Sequence, residues 1–289
     1  MKAYNPKDWF SLIFNFHKSD TFRLLLPAMA GLTILTTILC YLDAEMHIIV
    51  FRSTTVMHSL LGFVISLLLV FRTNTAYERW WEGRKLWGEL VNNSRNLMLK
   101  INAFLPDKKK ELKNNFRILI SNYAFALKNH LRGGYKEEEL EEHPNLHIND
   151  LKQVNHIPNK IALQLYIESD SLVKQHLISE EKLIVLNEEL RSFTNIAGAC
   201  ERIKNTPIPY SYSSFIKRII FLYIITLPFG IIHDLKWATI PIVLFIFYAF
   251  GSLELLAEEI EDPFGTERND LPTDELANTI KKNLREIVG

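Results

Sequence analysis

"SLLLVFRTNTAYERWWEGRKLWGEL", residues 66–90, passes from lipid-compatible side chains into Arg, Glu and Trp with no Gly-Pro turn between. The spacing of apolar residues from 86 onward decides whether the helix goes on. Leu86, Leu90, Leu97 and Ile101, with Trp87, Val91, Ser94 and Met98 beside them, recur at steps of three and four. That period belongs to a helix with one apolar stripe. A single helix is predicted from about residue 53 to 103, with Pro106 as its stop.

Working outward, residues 53–71 and 24–42 carry no charge. At a rise of about 1.5 Å per residue each nearly crosses a hydrocarbon core of about 30 Å. Pro27 falls at the start of the first, where a missing N–H matters least. A second pair lies near the other end: "IIFLYIITLPFGII", 219–232, then "HDLK", then "WATIPIVLFIFYAFGSL", 237–253. His233, Asp234 and Lys236 read as a tight turn in water or headgroups. Four spans are predicted.

Basic residues beside the spans set the orientation. Lys2, Lys7, Lys18 and Arg23 precede the first span, and Arg52 alone lies in the loop after it. Arg72, Arg79, Arg84 and Lys85 follow the second, and Arg202, Lys204, Lys217 and Arg218 precede the third. Lys236 is alone in the last turn. Both termini and the middle are therefore expected in the cytoplasm. The N-terminus lacks the pattern of a cleaved signal, and Trp9, Phe10, Leu12, Ile13 and Phe16 outline an apolar face suited to a membrane surface.

Lys plus Arg and Asp plus Glu balance at 33 each, with pI near 7.1, so nothing favours nucleic acid as a partner. The mean hydropathy of +0.02 averages apolar ends with a charged stretch at 105–195. Cys40 and Cys200 are far apart and read as isolated structural thiols. In the middle, 116–131 is predicted helical up to Gly133-Gly134, and further helices are predicted at 158–168, 169–178 and 179–203. The connector "YKEEELEEHPNLHIND" reads as a solvated acidic face. Pro144 between His143 and His147 argues against a shared metal face, and no metal site is predicted there.

The tail opens with acids crowding 254–274, then a helix capped by Thr273. The crowd suits a solvated helix exit, an acidic rim or an oxygen-rich cation site. No HExxH pair, Ser/His/Asp set or paired membrane aspartates occur, so no catalytic residues and no enzyme are predicted. Internal repeats expected of a transporter are missing too. A membrane scaffold remains compatible.

Three long segments carry a resemblance: "FRTNTAYERWWEGRKLWGELVNNSRNL", "GACERIKNTPIPYSY" and "LAEEIEDPFGTERNDLP". Together they resemble the bestrophin family in its bacterial branch, over nearly the whole chain. The resemblance implies an all-α, four-span channel subunit with a helical cytoplasmic domain, set in a bacterial inner membrane. Five identical copies would surround one pore, with the long helix lining it from membrane to cytoplasm. Partners are then the chain's own copies, the lipid bilayer and the permeating ions. Chloride is implied by the family, and a monovalent cation is the alternative.

On the same resemblance the pore neck is Phe63, Leu67 and Phe71, and the cytoplasmic aperture is Ile208 between Pro207 and Pro209. Leu67 stands where animal members are expected to carry an aromatic. Arg79, Trp80 and Trp81 would anchor the helix where it leaves the membrane. Glu259, Asp262, Glu267 and Asp270 match the calcium clasp of animal members, although Thr266, Arg268 and Asn269 interrupt the acids. No cofactor is predicted beyond that candidate calcium. The implied division is 1–23 interfacial helix, 24–71 first two spans, 72–217 cytoplasmic helices, 218–256 last two spans and 257–289 acidic tail.

Overall fold

The computed structural model describes residues 20–44 and 55–289; the N-terminal apolar face, with Lys2, Lys7 and Lys18, and Arg52 lie outside them. Among the described residues the fold is helical. Nine α-helices follow one another: α1 Asp20–Ala44, α2 Thr55–Phe104, α3 Lys110–Leu131, the single turn α4 Ile148–Leu151, α5 Ile157–Lys174, α6 Glu180–Asn205, α7 Tyr210–Leu235, α8 Thr239–Glu261 and α9 Thr273–Val288. They form two compact units. One holds the described residues up to Glu78 with Ile208–Glu261; the other holds Arg79–Pro207 with Asp262–Gly289.

The first unit has an apolar core and many exposed apolar side chains. Leu32, Ile65, Leu69, Ile216, Ile220, Ile224, Leu227 and Val243 make its core. Leu24, Ile34, Phe221, Leu222 and Phe245 are exposed. α1 packs on α8 and α7, and α7 on α8. Small residues let these helices approach: a Cβ on Gly62 would come within 2.9 Å of the Tyr223 hydroxyl, and one on Gly251 within 3.1 Å of Leu25. Three stretches are long and apolar enough to cross a membrane: Thr21–Ala44, Val56–Phe104 and Tyr210–Glu261. The last comprises α7 and α8, parted by a 3₁₀ turn at Lys236–Ala238 where Lys236 has φ 48°. His233 and Asp234 are therefore not in the turn but in the last turn of α7. His233 Nδ1 lies 3.0 Å from Asp43 Oδ1.

The second unit is built around α3. Phe116, Leu119, Ile120, Tyr123 and Leu127 are buried against α5, α6 and α9. The Tyr123 hydroxyl donates to the Phe193 carbonyl at 2.6 Å. The helices predicted at 158–168 and 169–178 are one, α5, because nothing within it breaks the ladder; Ser169 bonds back to Leu165 O at 2.8 Å. It stops instead at His176, in the left-handed region at φ 55°, with Leu177 N donating to Leu172 O at 2.9 Å. That is the glycine-type helix end, built on a histidine. Thr273 does not cap α9 either. It is the first residue of that helix, and its hydroxyl accepts from Arg132 at 2.9 Å.

The acidic connector is only partly solvated. Glu139 binds Lys128, which is 1% exposed, at 2.7 Å. Glu141 accepts from Arg117 at 2.6 Å and Arg285 at 2.9 Å, with Lys281 at 2.8 Å. Burial alone would push the Glu141 carboxyl up, but hydrogen bonds and charge from Arg117 and Lys281 bring it to about 2 from an ordinary 4.5. A carboxyl depressed by folding stabilises fully above its unfolded pKa, here about 4.5, and the gain is lost as pH falls towards 2. Glu141→Gln is expected to cost about 2 kcal/mol at neutral pH, allowing for solvent screening. Followed by helical circular dichroism, that deficit should vanish through this acid window; a constant deficit would place the loss elsewhere.

Both cysteines are free and buried. With Cys40 1% and Cys200 0% exposed, a maleimide is expected to modify neither until the chain unfolds. Rapid labelling of the folded protein at Cys200 would contradict that burial.

Candidate functional site

α2 buries one stripe within the first unit: His58, Ile65, Leu69, Arg72 and Ala76. Phe63, Leu67 and Phe71 are 66%, 47% and 57% exposed in the chain. Each residue turns a helix by roughly 100°, so the mean direction of this triplet is about 180° from that of the buried stripe. The three share one face, and it is the face farthest from the helix's own buried stripe. Followed onward, it passes through Asn74, Glu78, Lys85, Asn92 and Asn96, all exposed. The face thus changes from apolar to polar along one helix.

Directly after Phe71, Arg72 is 1% exposed. Its Nη2 lies 2.7 Å from Glu261 Oε2, and its Nε lies 3.7 Å from Glu254 Oε2. Glu261 Oε1 accepts the Ile208 backbone N–H at 2.6 Å. Pro207 and Pro209 cannot donate, so Ile208 is the one residue of that tripeptide able to make such a bond. A single carboxylate therefore ties the helix of the triplet to half-buried Ile208.

Further along α2, Arg79 donates to the carbonyls of Thr206, at 2.6 Å, and Ile203. It covers the C-terminal end of α6, where a cation is favoured. Trp80 Nε1 donates to Asn269 O at 2.8 Å. The tail loop sits close here: a Cβ on Gly83 would lie 3.2 Å from both Leu271 and Phe264. Arg79 and Trp80 thus have protein partners rather than standing outward as anchors, while Trp81 is 47% exposed. Of the two acids after the triplet, Glu82 is paired with Arg202 at 2.7 Å and Glu78 lies on the exposed face.

The acidic tail residues differ in setting. Asp270 is 2% exposed, and its Oδ2 accepts the Glu267 N–H at 2.6 Å. Leu271 N donates to Pro263 O at 2.8 Å, closing the loop. Asp262 and Glu267 are exposed, and Glu259 is half-buried on α8. His143 and His147 have different carboxylate neighbours. His143 is buried 4.0 Å from Glu168, and burial pushes its imidazole down against the upward pull of that carboxylate; His147 is exposed, 3.7 Å from Glu142. The convergent group among the described residues is one that sequence spacing does not reveal: His130, His156 and Glu201.

The family model for bacterial and fungal bestrophin proteins matches residues 1–286. The chain is 34% identical over 285 residues to the voltage-dependent anion channel-forming protein YneE of Escherichia coli, which covers 96% of this chain and 91% of that one. A voltage-dependent anion channel-forming protein of Nostoc sp. is 37% identical over 235 residues, covering 79% and 76%. A mutant of a bacterial bestrophin homolog from Klebsiella pneumoniae, solved by crystallography, superposes with a TM-score of 0.83 at 28% identity, over 92% of this chain and 99% of that chain. With the sequence matched along nearly its whole length and the helical fold shared, the chain belongs to the bacterial and fungal bestrophin family.

Proposed function

We propose that five copies of the chain assemble in a bacterial inner membrane as a passive anion channel, with the outward face of α2 lining the pore. The observation that carries this reading is the apolar triplet Phe63, Leu67 and Phe71, exposed opposite the helix's own packing. Fivefold symmetry turns each into a ring, and a narrow apolar tube gates ions by excluding water. The polar residues beyond it on that face suit a wetted vestibule. Ile208 forms the cytoplasmic aperture, its backbone fixed by Glu261. α7 and α8, at 26 and 23 residues, are each long enough to cross, which supports a reading of four spans, and the basic residues beside the spans support cytoplasmic termini. No residue performs chemistry.

Anion preference is supported by the relatives named as anion channel-forming proteins and by the positive ring edges of Phe63 and Phe71. Glu78, on the outward face, favours the cation alternative. In planar bilayers under a KCl gradient, purified protein is expected to reverse near the chloride potential. Reversal near the potassium potential would transfer selectivity to Glu78. Absence of current in several lipids would leave a membrane scaffold, and a native mass other than five subunits would overturn the assembly.

A further inference from the structure

We propose that His130, His156 and Glu201 form a binding site for a zinc-class divalent metal ion, which braces the end of α6. His130 lies in the last turn of α3, His156 immediately before α5, and Glu201 near the C-terminal end of α6. Both imidazole Nε2 atoms lie 2.7 Å from the same oxygen, Glu201 Oε1. The rings face each other with centroids 4.5 Å apart and planes at 35°. All three side chains are half-buried. His156 and Glu201 line a hollow of 410 Å³, and His130 lines another of 390 Å³. There is room for water at an open coordination position.

Two imidazole nitrogens and one carboxylate oxygen are the donor set of zinc and neighbouring first-row metals rather than of calcium or magnesium. Tetrahedral bonds of about 2.0–2.1 Å place neighbouring donors roughly 3.3 Å apart. The carboxylate–imidazole pairs must therefore open by about half an ångström, a small rotamer adjustment. One divalent ion would engage all three donors at once.

The site also carries a built-in competitor. His156 Nδ1 accepts the Asn159 N–H at 3.2 Å, capping α5. The ring proton then sits on Nε2 and is donated to Glu201. When a metal takes Nε2, that proton moves to Nδ1 and the cap bond is given up. Occupancy is consequently reversible, traded against one helix cap. It ties the last turns of α6 to α3 and α5, on a helix whose terminal carbonyls already hold Arg79.

The test uses tag-free, chelator-stripped full-length protein in detergent, titrated with Co²⁺ while its visible absorption is followed, then displaced by Zn²⁺. One saturable site per chain is expected. His130→Ala and His156→Ala should each weaken it at least thirtyfold, and His147→Ala should leave it unchanged. Should the alanine variants fail to fold, Glu201→Gln, which keeps both hydrogen bonds, should still weaken binding at least tenfold. Zn²⁺ should slow amide hydrogen exchange over 198–206 and quicken it at Asn159. No saturable binding to the native chain, or Co²⁺ binding undiminished in Glu201→Gln, overturns the site.

Discussion

Arg72→Ala is expected to destabilise the chain by about 3–5 kcal/mol, the cost of breaking a buried ion pair from one side. Arg72, Glu254 and Glu261 have side chains 2%, 6% and 13% exposed, so water cannot replace the lost guanidinium. The Glu254 carboxylate already lacks a hydrogen bond among the described residues, and Glu261 would lose the cation that balances it. In detergent the midpoint of thermal unfolding should fall by on the order of 10 °C. The cause can be isolated. If stranded carboxylates are responsible, adding Glu254→Gln and Glu261→Gln to Arg72→Ala should recover most of the loss. If the triple variant is no better than the single one, the guanidinium acts through packing.

Leu67→Ala should do the reverse, leaving stability within about 0.5 kcal/mol while changing conduction. Leu67 is 47% exposed in the subunit, so its truncation opens no internal cavity. On the proposed assembly it trims five side chains from the middle ring of the neck. A barrier lowered by about 1 kcal/mol raises current roughly fivefold, to be read as single-channel conductance. Leu69 is the control. It sits two residues away on the same helix but is 1% exposed. Leu69→Ala should cost about 2–4 kcal/mol of stability through its cavity. Equal conductance changes in the two variants would remove the outward face from the pore.

The long helix and the apolar segments were legible because they rest on local periodicity. α2 ends one residue past the predicted end. The features that escaped depend on contacts between distant positions. Nothing near Thr273 says that Arg132 will claim its hydroxyl, and nothing near Glu139 says that buried Lys128 needs it. His176 ends α5 in a conformation usually marked by Gly or Asn, so the usual stop signal was missing. The outward direction of Phe63, Leu67 and Phe71 came from structure, since an apolar helix offers many such triplets. His130, His156 and Glu201 are 26 and 45 positions apart, and only the packing of α3, α5 and α6 gathers them.

α2 has 50 residues and no joint. Positions 65, 69, 72 and 76 are buried, and so are positions 87, 90, 94, 97 and 101, both sets recurring at helical steps over about 54 Å. One residue inserted near Asn74 would swing everything after it by roughly 100°, turning one half's buried stripe to solvent. Seven residues, close to two full turns, would restore the phase to within about 20°. The gene encoding this helix is thus under a frame of its own: its length can drift only by codon counts close to whole turns, such as about 7, 11 or 18.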